Sequence, residues 1–465
     1  MRSLPILGLA ATFAAALPAQ WTLTAPASSP SQRRLGACAY DAPSNRLIFY
    51  GGVSPTPSVI LPQTWSWNGT LWTQLNPTGG TLGRWGHQLV RNLQNNRLVT
   101  FGGRSPTLSG FANDTQEWTG TAWTTVPTVN APSARYAYGM AFDSARNVVV
   151  LFGGRTNTQT LADTWEYDGI NWTQRNPAVA PSPRQELAMA YDASLARTIV
   201  FGGYDQDTNT VLGDTWEYNG TDWAQKAPAA SPAARYRGAS YYDSTRLRVV
   251  VFGGYDGTTI RNDMFEYTGD TWTTTAQGTT LPTASTETLH GYDPVRKRFV
   301  VFGGFGGSFS SQTWELNAPN TGMFSTYGEG CPTAEGEAVL TSNTPRLGQP
   351  WTITASNLPS TLELVMVAYG FSNTTWNSVP LPVDLGVIGL PGCGLVAAAD
   401  VLNVRPTAPD TPPATTNVAT ETLAIPNNTA LLNTRMFTQV LLLDLDVAGF
   451  AFVGTTKGGR AVIGN

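Results

Sequence analysis

The sequence predicts an all-β protein in which an internal repeat is followed by a second, smaller β domain, and three observations carry this. Six times an apolar, strand-like run ends in Gly-Gly, at Gly51/Gly52, Gly102/Gly103, Gly153/Gly154, Gly202/Gly203, Gly253/Gly254 and Gly303/Gly304, with steps of 51, 51, 49, 51 and 50 residues. Each pair is followed by an aromatic-rich hairpin. The composition agrees: of 465 residues, 47 are Gly, 32 Pro and 15 Trp and only 13% are charged, which is the usage of strands and turns and not of disordered chain.

Residues 1–19 read as a secretory signal: Arg2 supplies the positive start, Leu4 to Leu17 the short apolar segment and Leu17-Pro18-Ala19 a small-residue cleavage site. The mature chain is expected from Gln20, in the periplasm, at the cell surface or secreted. No run is long enough to predict a membrane span. A net charge of -4 and only three lysines, Lys226, Lys297 and Lys457, leave no basic stripe for nucleic acid or anionic lipid.

One repeat shows the grammar. Glu186 to Tyr191 is expected as an inner strand, Asp192 opens a tight turn, and Thr198 to Phe201 is an apolar strand ended by Gly202-Gly203. After a longer loop, Asp214 to Tyr218 alternates as a third strand, Asn219-Gly220 turns the chain and Trp223 opens a fourth. Asn-Gly and Asp-Gly suit type I′ hairpins, in which both central residues need positive φ, and the signal recurs at Asn68-Gly69 and Asp168-Gly169. Trp65, Trp118, Trp165, Trp216 and Trp314 are expected at one position of the third strand, with Phe265 as substitute, and Trp72, Trp123, Trp172, Trp223 and Trp272 at the start of the fourth. Aromatics at fixed spacing are core packed between repeats.

This period, with its Gly-Gly and Trp signatures, resembles the kelch repeat, in which each unit is a four-stranded blade of a β-propeller. The resemblance implies a six-bladed kelch-type propeller over residues 20–320. Blade six has no fourth-strand Trp after Leu316, whereas Trp21-Thr22-Leu23 matches Trp72-Thr-Gln and has no other partner. The N-terminal strand is therefore expected to complete the last blade and remove its exposed edge.

Residues 321–465 are expected to form a β-sandwich-like accessory domain, from short alternating runs at Leu362 to Ala368, Ala419 to Ile425 and Gln439 to Leu443 between Pro and Gly clusters. Pro380 to Gly386 and Leu423 to Pro426 resemble a C-terminal module of exported proteins of environmental bacteria. Cys331 and Cys393 lie in turns of this region and are expected as a disulfide, leaving Cys38 of a blade strand as a small apolar residue.

Ligand residues are expected on the propeller face that carries the longer loops, after Gly-Gly and before each inner strand. Arg33, Arg84, Arg135, Arg184 and Arg235 recur there, with Ser285 in the sixth slot, and are expected to ring the channel mouth. Guanidinium groups so placed can hold a carboxylate or sulfate, but repetition in five blades favours a structural reading in which each pairs with an Asp or carbonyl of a neighbouring blade, with Asp114, Asp163, Asp214 and Asp263 as recurring partners. Positions that break the repeat are the more diagnostic: Trp85, Tyr136, Glu186, Tyr236, Arg237 and Glu287 near the inner strands, and Arg104, Arg155, Tyr204, Tyr255 and Phe305 after Gly-Gly.

Catalytic signatures are absent from the sequence. Galactose oxidase-like copper enzymes need a Tyr-His dipeptide, which does not occur, and His87 and His290 are the only histidines, without ligand spacing. The sialidase Asp box separates its Asp and Gly by one residue, whereas Asp168 and Gly169 are adjacent. No Gly-x-Ser-x-Gly elbow is present. No cofactor or metal is expected. Two functions remain open: an exported binding scaffold for a glycan or protein partner without catalysis, or a carbohydrate-active enzyme resembling the kelch-propeller N-acetylneuraminate epimerases, with Glu186 or Glu287 as acid/base and Arg184 or Arg235 on a substrate carboxylate.

Overall fold

A computed structural model describes residues 19–317 except 56–58, 79–81, 106–109 and 270, and, beyond them, the strands between 323 and 462 with their shorter connections. The described residues are all β. Six four-stranded antiparallel sheets follow one another along the chain. Their inner strands are Ala37–Asp41, Leu89–Asn92, Gly139–Asp143, Ala188–Asp192, Ala239–Asp243 and Leu289–Asp293, and each touches the inner strand before and after it, so that six blades close into a ring.

The closure is the one the sequence predicts. Gln20–Thr24 is the outer strand of blade six, pairing antiparallel with Thr313–Asn317 in the register Trp21↔Leu316. Trp21 is buried with Phe252, Phe299 and Leu316, joining blades five and six. The hydrophobic clusters lie between blades: Phe152 of blade three, for example, packs with Met189, Trp216 and Trp223 of blade four.

Gly-Gly is required where blades meet. The first glycine of the pair in blade one, Gly51, has φ +74°, and a Cβ there would lie 2.3 Å from the Arg84 carbonyl of the next blade. Gly52 N donates to that same carbonyl at 2.9 Å. In blades four and five the strands do not end at the pair: Arg197–Asp205 pairs with Thr210–Tyr218, and Arg248–Tyr255 with Ile260–Tyr267, through a register shift at the glycines.

Two details of the repeat differ from expectation. The outer turns are four-residue loops and not type I′ turns: Trp67 pairs directly with Trp72, and among Asn68–Leu71 only Gly69 has positive φ. Asn68 stays on the negative side because its Oδ1 accepts from the Thr70 and Leu71 amides at 2.9 and 2.8 Å. Trp118 does not share the Trp65 position. In blade two that place, two residues after Asp114, belongs to Gln116, whose Nε2 donates to Asp114 Oδ2 at 2.9 Å as Trp165 Nε1 does to Asp163 Oδ2 at 2.7 Å. Trp118 lies two residues further, in the place of Trp67, facing Trp123 as Trp67 faces Trp72.

After residue 317 the described strands form a six-stranded and a four-stranded sheet, besides two short two-stranded ladders. One runs in the order Met323–Tyr327, Gly458–Val462, Arg435–Asp446, Leu364–Gly370, Val401–Pro406, with Gly449–Thr455 also on Arg435–Asp446; the other runs Val339–Ser342, Pro350–Leu358, Asn417–Ala424, Ala408–Pro409. Leu340, Trp351, Ile353 and Leu358 of the second pack against Val365, Val367, Val440 and Leu442 of the first. Alternate residues of facing sheets thus make a sandwich core. Cys331 and Cys393, and residues 1–18, lie outside the described residues. Cys38 is free and half-buried on its blade strand.

Candidate functional site at the channel mouth

The recurring arginines do not ring the channel mouth. Each guanidinium is turned into its own blade, where Arg135 uses all five donors: Nε to Ser133 O, Nη1 to Gly153 O and Asp163 Oδ1, and Nη2 to Ser133 Oγ and Asp163 Oδ2, at 2.6 to 3.0 Å. Arg184 repeats the set with Ser182, Gly202 and Asp214. Arg84 and Arg235 make the bidentate bond to Asp114 and Asp263 and the bond to the Gly carbonyl. All four are buried, so their charge is spent inside the fold. Burial would raise the Asp163 and Asp214 carboxyls, but the guanidinium bonds outweigh it and hold both below the usual carboxylate range.

One residue after each arginine, the chain reaches the loop face. There the residue following the slot bridges the residue following Gly-Gly: Arg34 with Val53, Trp85 with Arg104, Tyr136 with Arg155, Gln185 with Tyr204, Tyr236 with Tyr255 and Thr286 with Phe305. These bridges form a collar around the channel. Its aromatics are half-buried and touch in groups. Tyr136 meets Trp85 edge-on at 5.4 Å and stacks on Phe111 at 4.4 Å. Tyr236 stacks on Tyr204 at 4.9 Å and meets Tyr255 edge-on at 5.5 Å. Guanidinium groups lie over the rings: Arg104 on Trp85, Arg237 on Tyr236, and Arg34 on Phe305 and Phe309. The structure thus gathers the expected Trp85, Tyr136, Tyr204, Tyr236 and Tyr255 on one surface. It adds Arg34, which holds the repeat position of Trp85 and Tyr136 in blade one, and Phe111 and Phe309 from the loops after Gly-Gly.

Beneath the collar a second ring closes the channel. Leu35, Gly86, Ala137, Glu186, Arg237 and Glu287 occupy equivalent positions, all with φ between 55° and 67°. The amide of each donates to the carbonyl of its neighbour in the preceding blade, from Gly86 N to Leu35 O at 2.8 Å round to Leu35 N to Glu287 O at 2.9 Å. Left-handed backbone costs a non-Gly residue about 1–2 kcal/mol. The interblade hydrogen bonds hold it in place here.

Three side chains of this ring carry charge. Arg237 Nε lies 2.8 Å from Glu186 Oε2 and 3.2 Å from Glu287 Oε1, and Arg34 Nη1 lies 2.6 Å from Glu287 Oε2. The two glutamates therefore share one site, but with guanidinium groups already on them. Burial raises the Glu186 carboxyl above its usual range; Arg237 opposes this and Glu287 adds to it. The cavity below, bounded also by His87, Cys38 and His290, holds about 100 Å³. Burial lowers both histidines, His87 well below the usual imidazole value, with Arg84 adding to the effect. They stand neutral in the wall. Among the described residues, no cluster of three His, Cys, Asp or Glu is spaced to hold a metal ion, and no helix is long and apolar enough to cross a membrane.

Residues 117–331 match the family model described as the Attractin/LZTR1 beta-propeller. No curated protein matches the chain. The match begins in the third strand of blade two and runs past the last Gly-Gly unit; within it Gly-Gly recurs in blades three to six and the buried Arg and outer-strand Trp in blades three to five. With six four-stranded antiparallel blades on that repeat, closed by the strand Gln20–Thr24, the N-terminal part of this chain is a kelch-type β-propeller.

Proposed function

We propose that the propeller is a protein-interaction scaffold of an exported protein, and that the collar of the loop face is its docking surface. The carrying observation is the collar itself: half-buried Trp, Tyr and Phe rings, held by contact with one another and with the guanidinium groups of Arg34, Arg104 and Arg237. Trp, Tyr and Arg are the residues that dominate binding energy in protein interfaces, and prepositioned rings lose little entropy on docking. The cavity of about 100 Å³ under the collar is smaller than the few hundred Å³ of ordinary small-ligand pockets, which favours binding across the rim. The epimerase-like alternative relies on Arg184 or Arg235 to hold a substrate carboxylate, and both are bonded inside their blades.

The test is the triple variant Trp85→Ser/Tyr136→Ser/Tyr236→Ser, compared with the parent by cross-linking in the native medium and by glycan-array binding. A protein partner cross-linked by the parent and lost by a variant of unchanged melting temperature supports the proposal. A glycan bound by the parent and lost by the variant assigns the collar to carbohydrate instead. A protein partner retained by the variant places docking elsewhere.

A further inference from the structure

Blade six lacks the guanidinium that the other five blades carry, and the space for it is there. Arg33, Arg84, Arg135, Arg184 and Arg235 each stand eighteen residues before the first glycine of their own pair and donate from Nη1 to its carbonyl, at 3.3, 2.8, 3.0, 3.0 and 3.2 Å. The same offset from Gly303 falls on Ser285. The local backbone frame is kept: a Cβ built on Gly304 lies 3.5 Å from Ser285 Cβ, as one on Gly52 lies 3.5 Å from Arg33 Cβ. The adjoining bridge is kept too, Thr286 and Phe305 exchanging amide hydrogen bonds at 2.9 Å. Where the guanidinium would lie there is a cleft of about 360 Å³, lined by Thr283, Ser285, Gly303, Ser310, Gln312 and Trp314.

The acceptors of the slot are those of blade one. Arg33 is held without a carboxylate, by Ser31 O at 3.0 Å, Ser31 Oγ at 3.1 Å, Gly51 O at 3.3 Å and Gln63 Oε1 at 2.7 Å. Burial pulls its pKa down to about 10, so it remains a cation at neutral pH. In blade six Thr283 stands at the Ser31 position with its own hydroxyl, Gly303 at Gly51 and Gln312 at Gln63. Trp314 Nε1 donates to Gln312 Oε1 at 3.1 Å, fixing that oxygen as Trp216 fixes Asp214; a carboxamide oxygen has a second lone pair to offer. The flat wall is present as well. Arg235 of blade five lies over Phe265 at 5.1 Å, and Trp314 holds the Phe265 position in blade six.

We propose that the blade-six cleft binds a guanidinium group supplied from outside the fold, either the arginine side chain of a partner or a small compound such as free arginine. The planar, five-donor fork matches a set of acceptors arranged for it, which a compact ammonium does not. The cleft borders the collar at Phe309 but contains none of Trp85, Tyr136 and Tyr236, the residues substituted in the docking test, so the two proposals are tested independently.

Thermal shift and titration calorimetry on the full chain test it with methylguanidinium chloride against methylammonium chloride at equal ionic strength. Low-millimolar methylguanidinium is expected to raise the melting temperature where methylammonium does not, as a ligand of the native state must. Ser285→Arg fills the slot from within and is expected to abolish the response. Should that variant not fold, Gln312→Ala, at the exposed edge, is expected to weaken binding about tenfold through loss of one charge-assisted hydrogen bond. Tighter binding of an acetylated and amidated Gly-Arg-Gly peptide assigns the site to a partner's arginine; tighter binding of free arginine assigns it to the small molecule. Equal responses to the two salts, or a methylguanidinium response that survives both substitutions, overturn the proposal.

Discussion

The indole of Trp72 donates from Nε1 to Thr313 Oγ1 at 2.9 Å, so the outer strand of the first blade is bonded to the third strand of the last. The same staple joins Trp123 to Thr64, Trp172 to Thr115, Trp223 to Thr164 and Trp272 to Thr215, at 2.8 or 2.9 Å. The sixth is built differently. Met264 stands where the threonine would be, and Trp21 Nε1 turns to Gln277 Oε1 at 2.7 Å.

Deleting Gln20–Thr24 is expected to open the ring, because the strand carries the buried Trp21 and covers the edge Thr313–Asn317. Loss of a buried Trp side chain alone costs about 3–5 kcal/mol. The propeller should melt at lower temperature and aggregate through the bared edge, read by calorimetry and light scattering. Unchanged melting would mean that another segment takes the place of this strand.

Arg184→Met separates a ligand arginine from a structural one. The substitution leaves Asp214 without its bidentate partner and strips donors from Gly202 O and Ser182 O. Asp214 keeps 23% side-chain exposure, so the cost belongs at the lower end of the range for a broken buried pair, about 3 kcal/mol. Arg155→Met, at the pair with Asp207 whose carboxylate side is exposed, is the control and should lower melting less. Equal effects of the two substitutions would remove the structural role assigned to the slot.

The repeat and its closure were legible because they rest on backbone demands: Gly-Gly where the Arg carbonyl of the next blade approaches too closely for a Cβ, and an unpaired Trp21 matched by a missing outer strand. Repetition made the pairing of the arginines with the recurring Asp legible, but not that each turns into its own blade, since an offset along the chain does not tell which way a side chain turns and the partner lies 28 to 30 residues on. Blade two misled for a related reason. A shift of two residues keeps the same face of a strand, so matching Trp118 to Trp65 preserved the alternation and lost the register. The charged ring at the mouth was invisible as a unit, because nothing about Leu35, Ala137, Glu186, Arg237 or Glu287 as residue types signals a left-handed backbone.

Cys38 reports on the channel. Burial, with Asp293 adding to it, raises its thiol well above the usual value, and the thiolate is the reactive form. Alkylation of the native protein should be slow and should accelerate on unfolding. If the Cys331 to Cys393 bridge forms as the sequence suggests, mass mapping under denaturing, non-reducing conditions finds label on Cys38 alone. Cys38 in a disulfide with either would contradict that pairing.

Glu186→Gln should leave the fold as stable at neutral pH, or slightly more stable. Its carboxyl is raised by burial, so ionisation opposes folding and the penalty is relieved as pH falls toward the ordinary carboxylate range. Glutamine keeps an oxygen for the 2.8 Å bond from Arg237 Nε. Melting curves of parent and variant should therefore converge on acidification. A variant that is clearly less stable at neutral pH would show that the Arg237 pair outweighs burial.

Acid has the opposite effect at Glu266, in the third strand of blade five. Burial alone would raise the Glu266 carboxyl, but Arg246 and Arg248 bond to it and hold it at about 2, against an ordinary value of 4.5. With the folded value below the unfolded one, ionised Glu266 stabilises the fold in full above about pH 4.5, and that contribution is lost as pH falls toward 2. Asp163 and Asp214, lowered by Arg135 and Arg184, lose theirs in the same direction. Glu266→Gln should be destabilised at neutral pH, since Arg246 is left buried with Asp243 as its remaining carboxylate. Below pH 4 its melting temperature should approach that of the parent, because there the parent's own carboxylate is being neutralised. Parallel curves across this range would assign the acid loss to other groups.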